Sequence, residues 1–326
     1  MKHNKKVLLV DDEPNNLKVL QQILKDYFQL IFAINGEKTL AAAKEHKPDI
    51  ILLDIMMPDM DGYEVCTQLK ADPATAHIPV IFVTALSDPD NEAHGFDVGG
   101  VDYIQKPVSG PIVLRRVQTH LTLVKAEELD KLARAAIEML GKAGHYNDPY
   151  TGDHIRRMTA YSVAIARAAG WTPLQLEMIE LAAPTHDTGK IGIPHEILTA
   201  PHALNAEQWS IMKTHSEIGY DILGKSNNPV FVMAAEIARF HHEKWDGSGY
   251  PLGLRGEDIP ESARIIAIAD VFDALSSKRP YKEPWSLEEI LKVMRQNSGS
   301  HFDPRLLGVF MDIIPEILRL KAMWEP

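Results

Sequence analysis

Five short apolar runs punctuate the first hundred residues, and they leave such a chain few folds to adopt. They are Val7-Leu8-Leu9-Val10, Leu30-Ile31-Phe32-Ala33, Ile50-Ile51-Leu52-Leu53, Val80-Ile81-Phe82-Val83 and Asp102-Tyr103-Ile104. Runs this short and this continuously apolar suit strands buried on both faces of a parallel sheet. Between them lie stretches with helical spacing, such as Asn15 to Phe28 and Glu37 to Glu45. The alternation predicts a doubly wound α/β domain built on five parallel strands.

Four of those five runs end on a group with its own chemistry. Asp11 and Asp12 follow the first, Asp54 the third, Thr84 the fourth and Lys106 the fifth. In open α/β sheets, function gathers at the carboxyl edge of the strands. Three carboxylates there can hold a hard divalent cation, and Mg²⁺ is the candidate. Asp54 is also a nucleophile toward a phosphoryl donor. Lys106 supplies fixed positive charge, and Thr84 a hydroxyl that can bond an added phosphoryl oxygen.

From Ser109 to about Gly144 the pattern turns helical and charged. Val113, Val117, Leu121 and Val124 are spaced by three and four, with Arg115, Arg116, Lys125, Glu127 and Glu128 between them. This reads as one long helix or two joined helices. Its apolar stripe fits its own domain or a second copy of the chain in a homodimer. Residues 145 to 326 contain no convincing alternating strand and are broken by Pro and Gly loops, which predicts an all-helical domain. The expected organisation is a phosphoacceptor domain at 1–122, a helical linker at 123–144 and a helical domain at 145–326.

Composition excludes several classes. Cys66 is the one cysteine, so neither an internal disulfide nor a thiolate metal cluster is available. No stretch approaches the roughly 18 apolar residues of a membrane span. The Val7–Val10 run is too short for the core of a signal peptide, so a cytoplasmic location is expected. A formal net charge of −11 argues against a generic nucleic-acid binder. The segment after residue 125 offers metal ligands rather than a basic recognition helix, so no DNA-binding domain is expected. An acidic chain that handles an anion must concentrate positive charge locally, on metals or on a few Lys and Arg.

The helical half supplies such ligands. His154, His186, Asp187, His215, His241, His242 and Asp270 fall on five helical segments, several beside small or apolar residues. Imidazole and carboxylate without sulfur fit Fe, Mn, Ni or Zn, and the ligand types do not choose among them. Two ions would need an oxygen that reaches both, and Asp187 can bridge. His46, His77, His94, His195 and His202 lack such company and read as surface residues.

Two resemblances sharpen the expectation. LLVDDEP (8–14), LLDIMMPDMDG (52–62), VTA (83–85) and YIQKP (103–107) resemble the receiver domain of two-component response regulators, over roughly residues 5 to 122. The resemblance implies that Asp54 accepts phosphate from a sensor histidine kinase. It implies that Asp11, Asp12, Asp54 and the Met56 carbonyl bind Mg²⁺, and that Thr84 and Tyr103 form a switch pair beside Lys106.

HDTGKIGIP (186–194), the Met-Lys-Thr-His215 stretch, HHEKWDGSGYPLGLRG (241–256), IADVFDALSSKRPYK (268–282) and HFDP (301–304) resemble the HD-GYP cyclic dinucleotide phosphodiesterases. By that resemblance His154, His186, Asp187 and Asp270 hold one metal. Asp187 bridges to a second, held by His215, His241 and His242. Lys190 acts beside the scissile phosphate, Arg279 and Lys282 grip substrate phosphates, and Gly249 and Tyr250 shape the loop at the site. One position departs from the pattern. Tyr150 stands where many members carry a glutamate, and a phenol is a poor replacement for a carboxylate, so two metals are expected rather than three. The expected reaction is hydrolysis of cyclic di-GMP to pGpG, and onward to GMP. Cyclic GMP-AMP or pGpG as preferred substrate, and a non-catalytic module that binds a ligand or partner, are the alternatives.

Overall fold

The computed structural model describes residues 5–85, 89–144, 152–277 and 284–324. The chain divides into two compact units, Met1–Asp130 and Lys131–Pro326.

The first unit runs β1 (Lys6–Val10), α1 (Pro14–Leu24), β2 (Gln29–Ala33), α2 (Gly36–His46), β3 (Ile50–Leu53), α3 (Gly62–Ala71), β4 (Val80–Thr84), α4 (Pro89–Asp97) and β5 (Asp102–Gln105). The strands form one parallel sheet in the order β2-β1-β3-β4-β5. Alternate strand residues feed opposite apolar layers, because successive side chains point to opposite faces. Leu8, Val10, Ile51, Leu53 and Phe82 pack with Ala43, Val65, Cys66 and Leu69. Val7, Leu9, Ile50, Leu52 and Ile81 pack with Leu17, Leu20, Leu24, Val113 and Val117. The run Leu30–Ala33 is less buried than its composition suggests. β2 is an edge strand, and Phe32 is exposed.

Strand order reverses between β1 and β3, whose register pairs Val10 with Leu53. Asp11 and Asp54 therefore leave adjacent strand ends at the switch point, where open α/β sheets form their crevice.

α5 (Gly110–Gly144) is one unbroken helix of 35 residues. Leu129, Leu132 and Met139 lie exposed along it. In the second unit follow α6 (Gly152–Ala168), α7 (Pro173–Ala182), α8 (His195–Leu198), α9 (Ala206–Lys213), α10 (His215–Leu223), α11 (Pro229–Phe240), α12 (Glu261–Ser276), α13 (Leu287–Gln296), α14 (Pro304–Asp312) and α15 (Ile314–Ala322). No strand occurs among the described residues of this unit.

α12 is buried nearly all round, through Ala263, Ile265, Ile266, Ala267, Ile268, Ala269 and Phe272, and it serves as the central helix of the unit. Its alanines let α6 and α11 approach closely, and Phe272 meets Tyr161 and Phe310 edge-on at 5.5 and 5.2 Å. Between α7 and α8 the chain tightens into two 3-10 turns, Ala183–Thr185 and Thr188–Gly192.

Candidate metal centre and phosphoacceptor site

At the sheet edge of the first unit, Asp11 and Asp54 are both buried and share one cation. Lys106 Nζ lies 2.8 Å from Asp11 Oδ2 and 2.9 Å from Asp54 Oδ2. The other oxygen of Asp11 accepts from the Glu13 N–H at 2.9 Å and from the Asn16 amide at 3.0 Å. Burial pushes the Asp54 carboxyl up from its ordinary value, against the pull of Lys106. Burial works against the Lys106 ammonium too, but the two carboxylates win and hold its pKa high.

Asp11, Asp12 and Asp54 present oxygens within 4.8 Å of one another. Three carboxylates against one lysine leave an excess of negative charge that a divalent cation can neutralise, so the residues fit Mg²⁺. Gly62 makes the loop around Asp54 possible. A Cβ there would stand 2.3 Å from the Asp54 carbonyl oxygen, so α3 starts directly against the end of β3.

Thr84 is buried at the end of β4, and the Lys106 N–H donates to its carbonyl at 2.8 Å. Tyr103 turns inward. Its hydroxyl lies 2.7 Å from that of Tyr63 and 2.9 Å from the Asn91 carbonyl oxygen. No sequence pattern singles out Tyr63 and Asn91, which bear on Tyr103 only through the fold. Met56 has an exposed side chain, and its N–H donates weakly to Asp54 Oδ1 at 3.4 Å.

In the second unit the seven expected ligands fall into two neighbouring groups. Asp187, His215, His241 and His242 bring ligand atoms within 4.8 Å of one another, as do His154, His186 and Asp270. Asp187 faces both groups. Its Oδ1 lies 3.5 Å from His215 Nε2 and 3.8 Å from His241 Nε2, and its Oδ2 lies 3.3 Å from His186 Nε2. His154 Nε2 is 3.6 Å from Asp270 Oδ1. Two ligand atoms each about 2.1 Å from one tetrahedral ion stand about 3.4 Å apart, so these spacings are those of a shared ion. The Nε2 atoms of His215 and His241 are buried and make no hydrogen bond, which is costly unless another electrophile meets them. The residues fit metal.

Broken helices set these rings. His186 Nδ1 donates to the Ala183 carbonyl at 3.1 Å, His215 Nδ1 to Met212 at 2.7 Å, and His241 Nδ1 to Ile237 at 3.0 Å. A carbonyl only accepts, so each Nδ1 carries the proton and each Nε2 turns its lone pair toward the cluster. The stretch Glu207 to Leu223, which reads as one helix in sequence, divides at Thr214. The Thr214 N–H and hydroxyl both bond the Ile211 carbonyl, a tight closure after which α10 opens at His215.

His154 is oriented differently, by Asp273. Its Nδ1 lies 2.7 Å from Asp273 Oδ2, while Arg157 grips the same carboxylate from Nε at 2.7 Å and from a terminal nitrogen at 3.0 Å. Burial works against that charge, yet His154 and Arg157 keep the Asp273 pKa below the carboxylate norm. Asp273 went unnoticed in the sequence. Its one signal is its place three residues past Asp270 on the same helix.

Burial, reinforced by neighbouring imidazoles, lowers the pKa of His241 to about 3 and that of His242 well below normal. Burial lowers His215 as well. His186 runs the other way. Burial disfavours its charged form, but Asp187 outweighs it and raises the pKa. Three of these rings are thus held neutral, the form that ligates metal.

Lys190 Nζ lies 2.7 Å from Asp187 Oδ2. Tyr250 stacks on His242 at 4.7 Å, with planes 28° apart. Gly249 has no room for a Cβ, which would meet the Lys244 nitrogen at 2.3 Å. Glu243, buried beside the histidine pair, accepts from the N–H groups of Leu252, Gly253 and Leu254 at 2.8, 3.0 and 3.1 Å and pins this loop. Arg279, Lys282 and Tyr150 lie outside the described residues. His46, His77, His94, His195 and His202 are all exposed.

A five-stranded receiver-type sheet with an acidic pocket, in one chain with a helical unit that gathers histidines and aspartates into two adjoining candidate metal groups, marks a receiver domain joined to a hydrolase-type helical unit. Residues 7–118 match the response regulator receiver domain, and residues 128–306 match the HD domain. The chain belongs to the family of response regulators that join a receiver domain to an HD-GYP-type cyclic dinucleotide phosphodiesterase domain.

It is 40% identical to a probable cyclic di-GMP phosphodiesterase of Vibrio cholerae, over 94% of this chain and 77% of that protein. It is 33% identical to the cyclic di-GMP phosphodiesterase response regulator RpfG of Xanthomonas campestris, over 94% of this chain and 86% of that one. A 3'3'-cGAMP-specific phosphodiesterase of Vibrio cholerae is 42% identical over 60% of this chain and 37% of its own length. Among the described residues no helix is long and apolar enough to cross a membrane.

Proposed function

We propose that this chain hydrolyses cyclic di-GMP to the linear dinucleotide pGpG, and onward to GMP, under control of phosphorylation at Asp54. The observation that carries the reading is the double reach of Asp187, with one oxygen toward His215 and His241 and the other toward His186. The nearly full-length relatives bear cyclic di-GMP in their names, which supports the substrate. The partner that loads Asp54 is a sensor histidine kinase.

His154, His186, Asp187 and Asp270 would hold one ion, and Asp187, His215, His241 and His242 the second. Fe, Mn, Ni or Zn all suit nitrogen and oxygen donors. When bound, the ions supply Lewis acidity for activating water and for the charge that gathers on the phosphate. The protein's part is preorganisation. Carbonyl-locked imidazoles cannot swing away, and Asp273 fixes His154. Lys190 brings a cation to the oxygen face of Asp187, where the phosphodiester would lie, and can donate a hydrogen bond to a non-bridging oxygen. Tyr250 and Gly249 shape the wall over His242, and Arg279 with Lys282 would take the substrate's other phosphate.

Cyclic GMP-AMP is the second reading, favoured by the 42% identity to a 3'3'-cGAMP-specific enzyme over 60% of this chain. Pure protein loaded anaerobically with Fe²⁺ or Mn²⁺ should cleave cyclic di-GMP faster than 3'3'-cGAMP or pGpG, with two metals per chain by elemental analysis. Faster turnover of 3'3'-cGAMP or pGpG would reassign the substrate. No turnover of any of the three would favour a non-catalytic output module. Asp187→Ala should lose both metals and all activity. Unchanged metal content in that variant would exclude the bridging role.

A further inference from the structure

Lys190 is already engaged with Asp187 at 2.7 Å. Lys213 is different. It closes α9 two residues before His215, is exposed, and makes no ion pair among the described residues. Its ammonium sits over the Tyr250 ring, 5.2 Å from the centroid. That same ring stacks on His242 at 4.7 Å and meets His215 edge-on at 6.4 Å.

A lysine in the last turn of a helix is favoured by the helix's carbonyl end whatever its use. What distinguishes Lys213 is the platform beneath it. The Tyr250 N–H donates to the His242 carbonyl at 3.2 Å. Gly249 is pressed against the backbone of Glu243 and Lys244, and the Glu243 carboxylate ties down the three residues after Pro251. The ring therefore has little freedom, and a cation held on its face by the π-system inherits that order. A chain with a net charge of −11 has placed an ammonium with no ion pair among the described residues on a ring that stacks against a candidate ligand histidine.

We infer that Lys213, held by Tyr250, is a substrate-binding residue that receives a phosphate of the cyclic dinucleotide on the side of the His215–His242 metal group. The inference rests on the phosphodiesterase reading above. Tyr250 then acts as a positioning residue rather than a direct contact. A charge-assisted contact of this kind binds ground state and transition state alike, so its removal shows in KM and not in kcat.

The test uses full-length, metal-loaded protein. Lys213→Ala should raise KM for cyclic di-GMP about tenfold, and raise by the same factor the Kd of its non-hydrolysable phosphorothioate analogue. The value of kcat should stay within about twofold, with two metals still bound per chain. Lys213→Arg should restore most of the affinity. Tyr250→Leu should weaken binding too, and adding it to Lys213→Ala should cost less than the product of the two effects, because the pair acts as a unit. Unchanged KM and Kd in Lys213→Ala overturn the assignment, and so does loss of a metal ion in that variant. Wild-type protein that neither binds nor cleaves the dinucleotide overturns the phosphodiesterase reading as well, which separates the two failures.

Discussion

Gly189→Ala perturbs the metal centre without touching any ligand. A Cβ at Gly189 would stand 1.8 Å from the His215 carbonyl oxygen and 2.5 Å from the Gly219 nitrogen. Both are backbone atoms of α10, so no side chain can swing aside. An ordinary carbon–oxygen contact is about 3.3 Å or more, so the 3-10 turn and α10 must part by roughly 1.5 Å. Asp187 lies on one side of that crossing and His215 on the other, 3.5 Å apart. The methyl group therefore opens the ligand pair that the second ion needs. Overpacking of this kind costs about 1–3 kcal/mol, which for a unit of this size lowers the melting midpoint by about 3–10 °C. A displacement of 1 Å or more at a catalytic group costs about a hundredfold in rate.

Three assays on one preparation decide the matter. Calorimetry should show the lower midpoint, elemental analysis about one metal per chain, and kinetics a kcat/KM about a hundredfold below wild type. Gly308→Ala serves as control. Nothing lies within 4 Å of a Cβ at that position inside α14, so the change should stabilise by about 0.5–1 kcal/mol and leave the metals alone. Gly189→Ala with two tightly bound metals and wild-type kcat/KM would refute the reasoning.

Three further outcomes follow from the geometry. Asp54→Asn removes the nucleophile, so a phosphate-affinity gel should show no shift after acetyl phosphate treatment. The HD metals should stay in place, and a shifted band would place the phosphoryl group elsewhere. Asp273→Asn keeps the shape beside His154 but drops the charge. A chelator titration should find one ion bound about 10–100-fold more weakly and the other unchanged, and equal affinities would exclude the orienting role. In metal-free protein, His241, His242 and His215 have folded pKa values below the unfolded value of about 6.5, His241 near 3. Below pH 6.5 the unfolded chain takes up protons that these buried rings refuse. These three rings should therefore make stability fall as pH drops from about 6.5 toward 3, with His186 and the carboxyls of Asp54 and Glu236 opposing because their pKa values are raised. Denaturant midpoints of the metal-free protein that rise between pH 7 and pH 5 would contradict this.

Much of this architecture was legible because it is local. Continuous apolar runs announce β1, β3 and β4, which are buried on both faces. Charged or hydroxyl groups at the ends of those runs mark the edge where the acidic pocket forms. The β2 run looks the same in sequence, but its exposure depends on the strand order, which no single run contains. The candidate cluster was legible for a related reason. Seven imidazoles and carboxylates beside small residues are hard to explain as packing, and the structure brings them into two groups.

What the residue types do not carry is aim. A histidine is a ligand only if one nitrogen is protonated and held while the other faces the ion. Here that decision belongs to the carbonyls of Ala183, Met212 and Ile237, atoms that every residue possesses. They are available because the chain turns or ends its helices beside the rings, at the 3-10 turns, at Thr214 and at the end of α11. His154, on the first turn of α6, is held by a side chain, with Asp273 Oδ2 2.7 Å from its Nδ1. Asp273 is therefore a point in the outer shell where a side-chain substitution should reach a candidate ligand through its ring, whereas the carbonyl locks of His186, His215 and His241 yield only to changes, such as Gly189→Ala, that move the backbone itself.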